Sequence, residues 1–502
     1  MKHLRLTILL FSVVIPLNLF ADYQSDDSAL YGRTFFHGRS IGSNNARDSA
    51  GIGYLITWGY DDCSNGVLWS TAEYSKSFNK HDIGKYLFFN NTATMQTGTA
   101  AGPGIDVFSQ NFLLNDNFDS AITARPTVQN ELIDVNLFYG FDIGCYTFYV
   151  LAHLPYVSTQ WSIDFKETVS TSGSIILANE LGNPIDTPSP FNSWITAWNG
   201  QATFFDVQQP LQYARVDGKQ KKSRFADFEC ALGCIFLNDE CNYFSINIRT
   251  IIPTGNRPNG VFFFEPIVGN GHYYEVGAGI LGNFLLWESS CDEFLTGFVN
   301  GTIYSMLESK QKRTLDMKNN GIGSRYLLFK RFNNDAYAGE IIRGPNILTL
   351  PVKTKNRVHG DLVFMLEYLH CNLILDAGYN LWGRTRDHIE VVGQIPANTY
   401  GIAGLSGTAG AGRNTTAHLT QIDGSNASIL DASPVYISNS DLDFESAAHP
   451  GTFSHSFFIY AGYLCDWHWG QPFIGVGGDI EYSGTNKSFK MGHIWTKVGL
   501  SF

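Results

Sequence analysis

The chain has 502 residues and a formal net charge of −12, from 46 acidic and 34 basic side chains, a balance that argues against a nucleic-acid partner. Hydrophobic residues make up 44%, aromatics 14% and charged residues only 16%, with 50 glycines. This composition suits turn-rich β-structure and excludes both a disordered chain and an ordinary helical enzyme.

The first residues, Met1-Lys2-His3-Leu4-Arg5, lead into an apolar run from Leu6 to Phe20 and then Ala21-Asp22. Basic, apolar and small residues in that order predict a secretory signal over 1–21, with the mature chain, 22–502, starting at Asp22. The run is shorter than the roughly 20 apolar residues of a spanning helix, and Pro16 and Asn18 interrupt it. No later stretch approaches about 18 uninterrupted apolar residues. The mature chain is therefore either soluble or crosses a membrane as strands.

A weak extended segment covers 30–39. Beyond it, short turn signals recur at 61–66, 143–145, 238–242, 288–293, 370–372 and 465–468, and alternating segments flank them. Ile133, Val135, Leu137, Tyr139 and Phe141 oppose Asp134, Asn136, Phe138, Gly140 and Asp142. Phe244, Ile246, Ile248 and Ile252 oppose Ser245, Asn247 and Arg249. Val276, Ala278, Ile280 and Phe284 alternate with Glu275, Gly277, Gly279 and Asn283. Leu373, Leu375, Ala377 and Tyr379 alternate with Ile374, Asp376, Gly378 and Asn380, and Ile474, Val476 and Ile480 with Gly475, Gly477, Asp479 and Glu481. A period of two, apolar outward and mixed inward, is expected of a strand between lipid and a wet lumen. A β-sandwich also alternates, but its polar face meets bulk solvent and usually carries more Lys, Glu and Thr than this Gly- and Asn-rich set.

Between the tight turns lie long polar stretches near 79–132, 158–224, 308–357 and 385–452. Short turns at one end and long loops at the other predict an up-and-down antiparallel barrel with the turns in the periplasm. Two strands at each of six turns, a terminal strand over 489–502 and a closing strand over 30–39 give about 14, within a range of 12 to 16. Both termini are then expected at the periplasmic end.

The terminal residues 493–502 place Phe502, Leu500, Val498, Thr496 and Ile494 on one face and Ser501, Gly499, Lys497, Trp495 and His493 on the other. This ending resembles the C-terminal strand of Gram-negative outer-membrane β-barrels, porin-like proteins among them. The resemblance implies that Phe502 is the signal read by the barrel-assembly machinery, and it implies the outer membrane, with its lipid and lipopolysaccharide, as the location. The exit Pro253-Thr254-Gly255 is similar to one in some porin-like transporters, though any turn can use Pro and Gly there. The basic run 219–224 reads as a solvated charge run or as a contact to lipopolysaccharide.

Six of the eight cysteines, Cys63, Cys145, Cys241, Cys291, Cys371 and Cys465, sit in or beside the six turns. Two readings stay open: reduced thiols inherited from a duplicated hairpin, or disulfides to envelope proteins or to other copies of the chain. No CxxC or HxxxH spacing supports a metal centre, and no metal or cofactor is expected. Cys230 and Cys234 share an outward strand face, about 13 Å apart, too far to bridge each other.

Residues assigned to the lumen are mostly acidic: Asp134, Asp142, Asp227, Glu229, Glu275, Asp361, Glu367, Asp376, Asp479 and Glu481, against Arg249, Arg384 and Lys497. If they line water they favour cations; if they pair with basic side chains of an inserted segment they close the pore. No Gly-x-Ser-x-Gly, His-Glu-x-x-His or phosphate-loop motif is present, so no enzymatic role is expected. The function expected is passive passage of small hydrophilic or cationic solutes through a porin-like channel, and the alternative is a plugged structural or adhesive surface barrel.

Overall fold

The alternation with a period of two resolves into twelve wall strands. The computed structural model describes residues 31–502 apart from 58–63, 99–105, 116, 174–188, 190, 204–205, 240, 291–292, 404–411, 414–433, 466, 469 and 485. The wall strands are β1 (Ser64–Ser77), β2 (Phe118–Ile143), β3 (Tyr146–Ser172), β4 (Phe228–Asp239), β5 (Asn242–Ile252), β6 (Glu275–Ser290), β7 (Glu293–Met306), β8 (His359–His370), β9 (Leu373–Arg384), β10 (Thr452–Leu464), β11 (Gln471–Tyr482) and β12 (Met491–Ser501). Each pairs antiparallel with its neighbours in chain order. β1 also pairs with β12, Val67 opposite Ser501 and Ser77 opposite Met491, so the sheet closes on itself and no wall strand keeps a free edge.

Outward positions form the apolar belt of a transmembrane barrel. Leu68, Ile133, Val135, Leu232, Ile248, Val276, Leu375, Ile459, Ile474 and Val498 are all exposed, a surface far larger than the few hundred Å² of apolar patch that a water-soluble monomer shows. Aromatic residues rim the belt. Tyr74, Phe78, Tyr156, Phe225, Tyr274 and Tyr482 lie toward the long loops, and Tyr139, Tyr146, Trp287, Tyr463, Trp467 and Phe502 toward the short turns. That is where amphipathic rings settle between lipid and water. Among the described residues, no helix is long and apolar enough to cross a membrane.

The strand count falls at the low end of the expected range because, among the described residues, two expected wall strands are not formed. Residues before the first turn form a short helix, α2 (Gly53–Thr57), after α1 (Asn45–Ser49), and both lie inside the barrel. The segment 30–39 does not close the sheet: from residue 31 it starts among the long loops and runs into the lumen. The closing strand is β1. The two ends of the described chain accordingly lie at opposite ends of the barrel, with Phe502 at the turns and Tyr31 at the loops, rather than together.

The long connections are not structureless. β2 and β3 run 26 and 27 residues, about 85 Å at roughly 3.3 Å per residue, so most of that hairpin stands above a belt about 25 Å tall. The strand Lys219–Phe225 pairs with the upper part of β3, continuing the line of β4. Small sheets (Ser309–Thr314, Thr349–Asn356 and Asp387–Val391; Leu328–Asn333, Ala336–Arg343 and Tyr400–Ala403) cover the loop end. Their core holds Phe36, Tyr86, Phe112, Trp161, Trp194, Trp198, Tyr326 and Phe489. The Phe112 and Trp194 rings lie 3.9 Å apart between centroids, and those of Trp194 and Trp198 lie 5.1 Å apart. Polar residues at the surface of these stretches hide the apolar core that their strands and helices bury.

Candidate functional site

The site is the lumen with the N-terminal segment, residues 31–57, threaded through it. At the loop end Gly32 N–H donates to Lys85 O at 3.1 Å, Thr34 Oγ1 donates to Ser446 O at 2.9 Å, and the Arg313 guanidinium lies 3.6 Å from the centroid of the Phe35 ring. Phe36 packs edge-on against Tyr86 and Phe489. The segment then descends. Ile41 bridges to Gly269, Asn44 caps α1 by accepting from Arg47 N–H, and Asn44 Nδ2 donates to Asp479 at 2.9 Å.

Two plug arginines meet the wall carboxylates. Arg39 pairs with Asp361 and comes within 4.0 Å of Glu481. Arg47 is wholly buried: Nη1 donates to Glu73 at 3.2 Å, Nη2 to Asp134 at 3.1 Å and to Gly42 O at 2.8 Å, and Nε to Asp48 at 2.9 Å. Burying a guanidinium is tolerable only with such saturation, since each ion taken out of water costs several kcal/mol before pairing.

The wall also holds the plug backbone. The ammonium of Lys497 in β12 donates to Arg47 O at 2.7 Å and Ala50 O at 2.5 Å, a cation on the carbonyl end of α1. Gly51 N–H donates to Asp376 at 2.5 Å. Asn300 Nδ2 donates to Asn45 and Ser49, Asn283 to Thr57, and Asn65 to Leu55 O. Gly51 has φ +71°, and a Cβ there would overlap the Tyr460 ring, so only glycine permits this turn. Below it Ala46, Ala50, Ile52, Leu55 and Ile56 pack on Val67, Trp69, Phe138, Tyr149, Phe298, Met365, Tyr460 and Trp495. The lumen toward the turns is filled by apolar packing.

Between plug and wall lies a cavity of about 80 Å³, lined by Arg39, Asn45 and Asp48 of the plug and by His153, Glu229, Arg249, Glu275, Tyr304 and His359 of the wall among others. Glu229 accepts from Arg249 and Tyr304, both at 2.7 Å, and contacts His153 at 3.1 Å. Glu275 accepts from Asn270 at 2.7 Å and contacts His359 at 2.5 Å. His37, Arg39, Asn136, Asn300 and Arg384, all on its lining, each carry a buried polar atom with no protein partner. A polar space of this size suits a few waters and not a passing solute.

At the loop end of the plug two imidazoles are buried beside cations. Burial, then Arg384 and Arg313, lowers His37 to about 3; burial, then Arg384, holds His449 well below the ordinary imidazole value. Burial works to raise the Asp387 carboxyl, but Arg384 and Arg313 outweigh it and hold the group well below the usual carboxylate range.

Of the residues assigned to the lumen from sequence, Asp134, Asp227, Glu229, Arg249, Glu275, Asp361, Glu367, Asp376, Arg384, Asp479, Glu481 and Lys497 are buried on the inner side. Asp142 is not: it is exposed near the turn end of β2, where its carboxylate accepts from Thr147 across the hairpin. The sequence reading missed Glu73, His153 and His359 on the wall, and Arg39 and Arg47 on the plug; His493 it placed on the inner face without giving it a role. Glu73 was within reach, since Val67, Trp69, Thr71, Glu73 and Ser75 alternate with Leu68, Ser70, Ala72 and Tyr74. Cys145, Cys241, Cys371 and Cys465 are free and exposed at the turn end, while Cys63 and Cys291 lie outside the described residues, as does the expected leader over 1–21. Among the described residues, no group of three or more His, Cys, Asp or Glu side chains is placed to hold a metal ion.

No protein-family model matches the chain, and no curated protein does. Among solved structures it is similar to an outer-membrane channel from Pseudomonas putida F1, at 8% identity over 87% of this chain and 96% of that one, with a TM-score of 0.37. It is also similar to a FadL homologue of Pseudomonas aeruginosa (9% identity, 95% and 97% covered, TM-score 0.29). A third is the transport unit of the autotransporter AIDA-I from Escherichia coli (6%, 91% and 96%, TM-score 0.31).

Proposed function

We propose that the chain is an outer-membrane channel for small hydrophilic solutes, held shut by its own N-terminal segment. The observation that carries this reading is the way the plug is held. Among the described residues it joins no wall strand by a β-ladder: its one bridge, Ile41 to Gly269, is to the connection between β5 and β6, and its polar grip on the wall is made of ion pairs and side-chain hydrogen bonds around Arg39, Asn44, Arg47 and Gly51. Such contacts can be exchanged for water without breaking the barrel, whose ladders close independently of the plug. By the usual orientation of these barrels the short turns face the periplasm and the loop cap faces outward.

Displacing the plug removes two guanidiniums and leaves Glu73, Asp134, Asp361 and Glu481 facing the lumen. The open state therefore prefers cations. The experiment is single-channel recording in planar bilayers under a salt gradient, comparing the wild type with the double variant Arg39→Ala/Arg47→Ala. The expected result is rare openings in the wild type and long-lived, cation-preferring openings in the variant. A variant that retains heat-modifiable migration but never conducts overturns the channel and favours the second reading, a structural barrel, for which the packed apolar core of the loop cap is the supporting observation.

A further inference from the structure

Cysteines mark one rim of this barrel. Cys145 lies in the β2–β3 turn, Cys241 in β4–β5, Cys371 in β8–β9 and Cys465 opens β10–β11; all four are exposed and unpaired. With twelve strands and a turn for every second strand, successive turns stand about 60° apart around the ring. The four thiols thus point in four directions from one level.

Within one barrel they cannot meet. Neighbouring turns are two strand spacings apart, about 10 Å, beyond the Cα separation of roughly 4.4–6.8 Å that a disulfide needs. Turn geometry does not account for them either. Cys371 has φ +53° in a two-residue connection between His370 and Leu373, a left-handed position that favours Asn, Asp or Gly.

We propose that this rim is a cross-linking surface on which neighbouring copies of the chain are joined side by side through intermolecular disulfides. The apolar belt argues for copies of the same chain. It fixes the height of each barrel in the bilayer, and a common direction of insertion puts every turn rim on one plane. Thiols of adjacent barrels therefore meet at the same depth, where a search in three dimensions has become one in two. Turns about 60° apart also match the directions of neighbours in close-packed discs. The oxidant is a disulfide-bearing thiol oxidase of the periplasm. A turn thiolate attacks its disulfide, forming a mixed disulfide and releasing one carrier thiolate. The thiolate of the adjacent copy then attacks the barrel sulfur and releases the second. Two thiols lose two protons and two electrons, and the carrier leaves as a dithiol.

The test uses full-length protein in its own outer membranes. Free thiols are blocked with N-ethylmaleimide before solubilisation, and the sample is run without reductant and mapped by mass spectrometry. A ladder of multiples of the chain that collapses with dithiothreitol, containing peptides that join Cys145, Cys241, Cys371 or Cys465 of two copies, is the expected result. Replacing all four by Ser shifts the ladder severalfold toward monomer, whereas Cys230→Ser/Cys234→Ser, in the wall, leaves it unchanged. Turn thiols found alkylated in monomeric wild type, or joined to other polypeptides, overturn the proposal. The wild-type map does not depend on any variant folding, and heat-modifiable migration checks those that are made.

Discussion

Arg47 of the plug and Asp134 of the wall lie 3.1 Å apart with neither side chain reaching solvent. Glu73 approaches the same guanidinium from the adjacent strand at 3.2 Å. The residues come from two ends of a topology: α1 has entered from the loops, β1 rises from the turns, and β2 descends beside it. Their meeting gives the plug a fixed seat inside the closed wall.

Removing Arg47 takes the shared guanidinium from two buried carboxylates, leaving Asp134 with His153 at 3.5 Å and Glu73 without its arginine. Arg47→Ala is expected to lower stability by about 3–5 kcal/mol, the cost of breaking a buried pair on one side. The measurement is the midpoint of the heat-modifiable shift or of urea unfolding in detergent. Adding Glu73→Gln and Asp134→Asn to Arg47→Met is expected to recover most of the loss. Arg331→Ala removes a half-exposed partner of Glu340 and is expected to leave the unfolding midpoint nearly unchanged.

Gly51→Ala tests the plug turn. An L-residue at φ +71° is strained, and its methyl group meets the Tyr460 ring, so a loss of about 1–3 kcal/mol is expected. Because the wall ladders are untouched, the loss appears as more frequent channel opening and greater protease sensitivity near residues 50–53, with the barrel's own unfolding little changed.

Acid is expected to loosen the upper plug. His37 and His449 are neutral in the folded chain because burial and the nearby Arg384 depress them, His37 to about 3 from an ordinary 6.5. A depressed imidazole favours the folded form fully above its unfolded value. That contribution is lost as pH falls from about 6.5 toward 3, where the unfolded chain takes up protons first. Channel activity is therefore expected to rise, and unfolding midpoints to fall, between pH 7 and pH 4. His37→Gln is expected to flatten the profile, and an unchanged profile in that variant assigns the effect to other groups.

Glu367 of β8 and Asp376 of β9 stand directly opposite each other, both buried. Two carboxyls buried in that relation oppose each other's ionisation, and among the described residues neither oxygen of Glu367 has a hydrogen-bond partner. Glu367→Gln is expected to raise the unfolding midpoint.

Strand periodicity exposed the wall because lipid and lumen impose opposite demands on successive residues. Ile133 to Phe141 and Ile474 to Tyr482 could be assigned a face without any partner. The plug carried no comparable signal. Residues 38–53 are rich in Gly, Ser, Asn and Ala, and their short helices are held by contacts to the wall that no local pattern encodes. The segment 30–39 has strand-like spacing, yet Phe35 and Phe36 are used to bury rings under the loops and not to pair with β12. The upper reaches of β2 and β3 were read as loop because they leave the membrane, where alternation no longer separates lipid from water. Asp142 has the right parity for the lumen but lies at the rim end of β2, where parity ceases to mean burial.

The thread through the lumen constrains how the molecule can be built. Residue 31 is fastened beneath the loop cap, residue 64 opens β1 at the other rim, and the ring is completed by the β1–β12 seam. A closed hoop would have to be threaded like a needle by a chain that carries buried arginines. Zipping the hoop around a chain already in place needs no such passage. The seam, made by the first wall strand and the last, is then the final join in assembly, and residues at the very end of the chain decide when the N-terminal segment is sealed in.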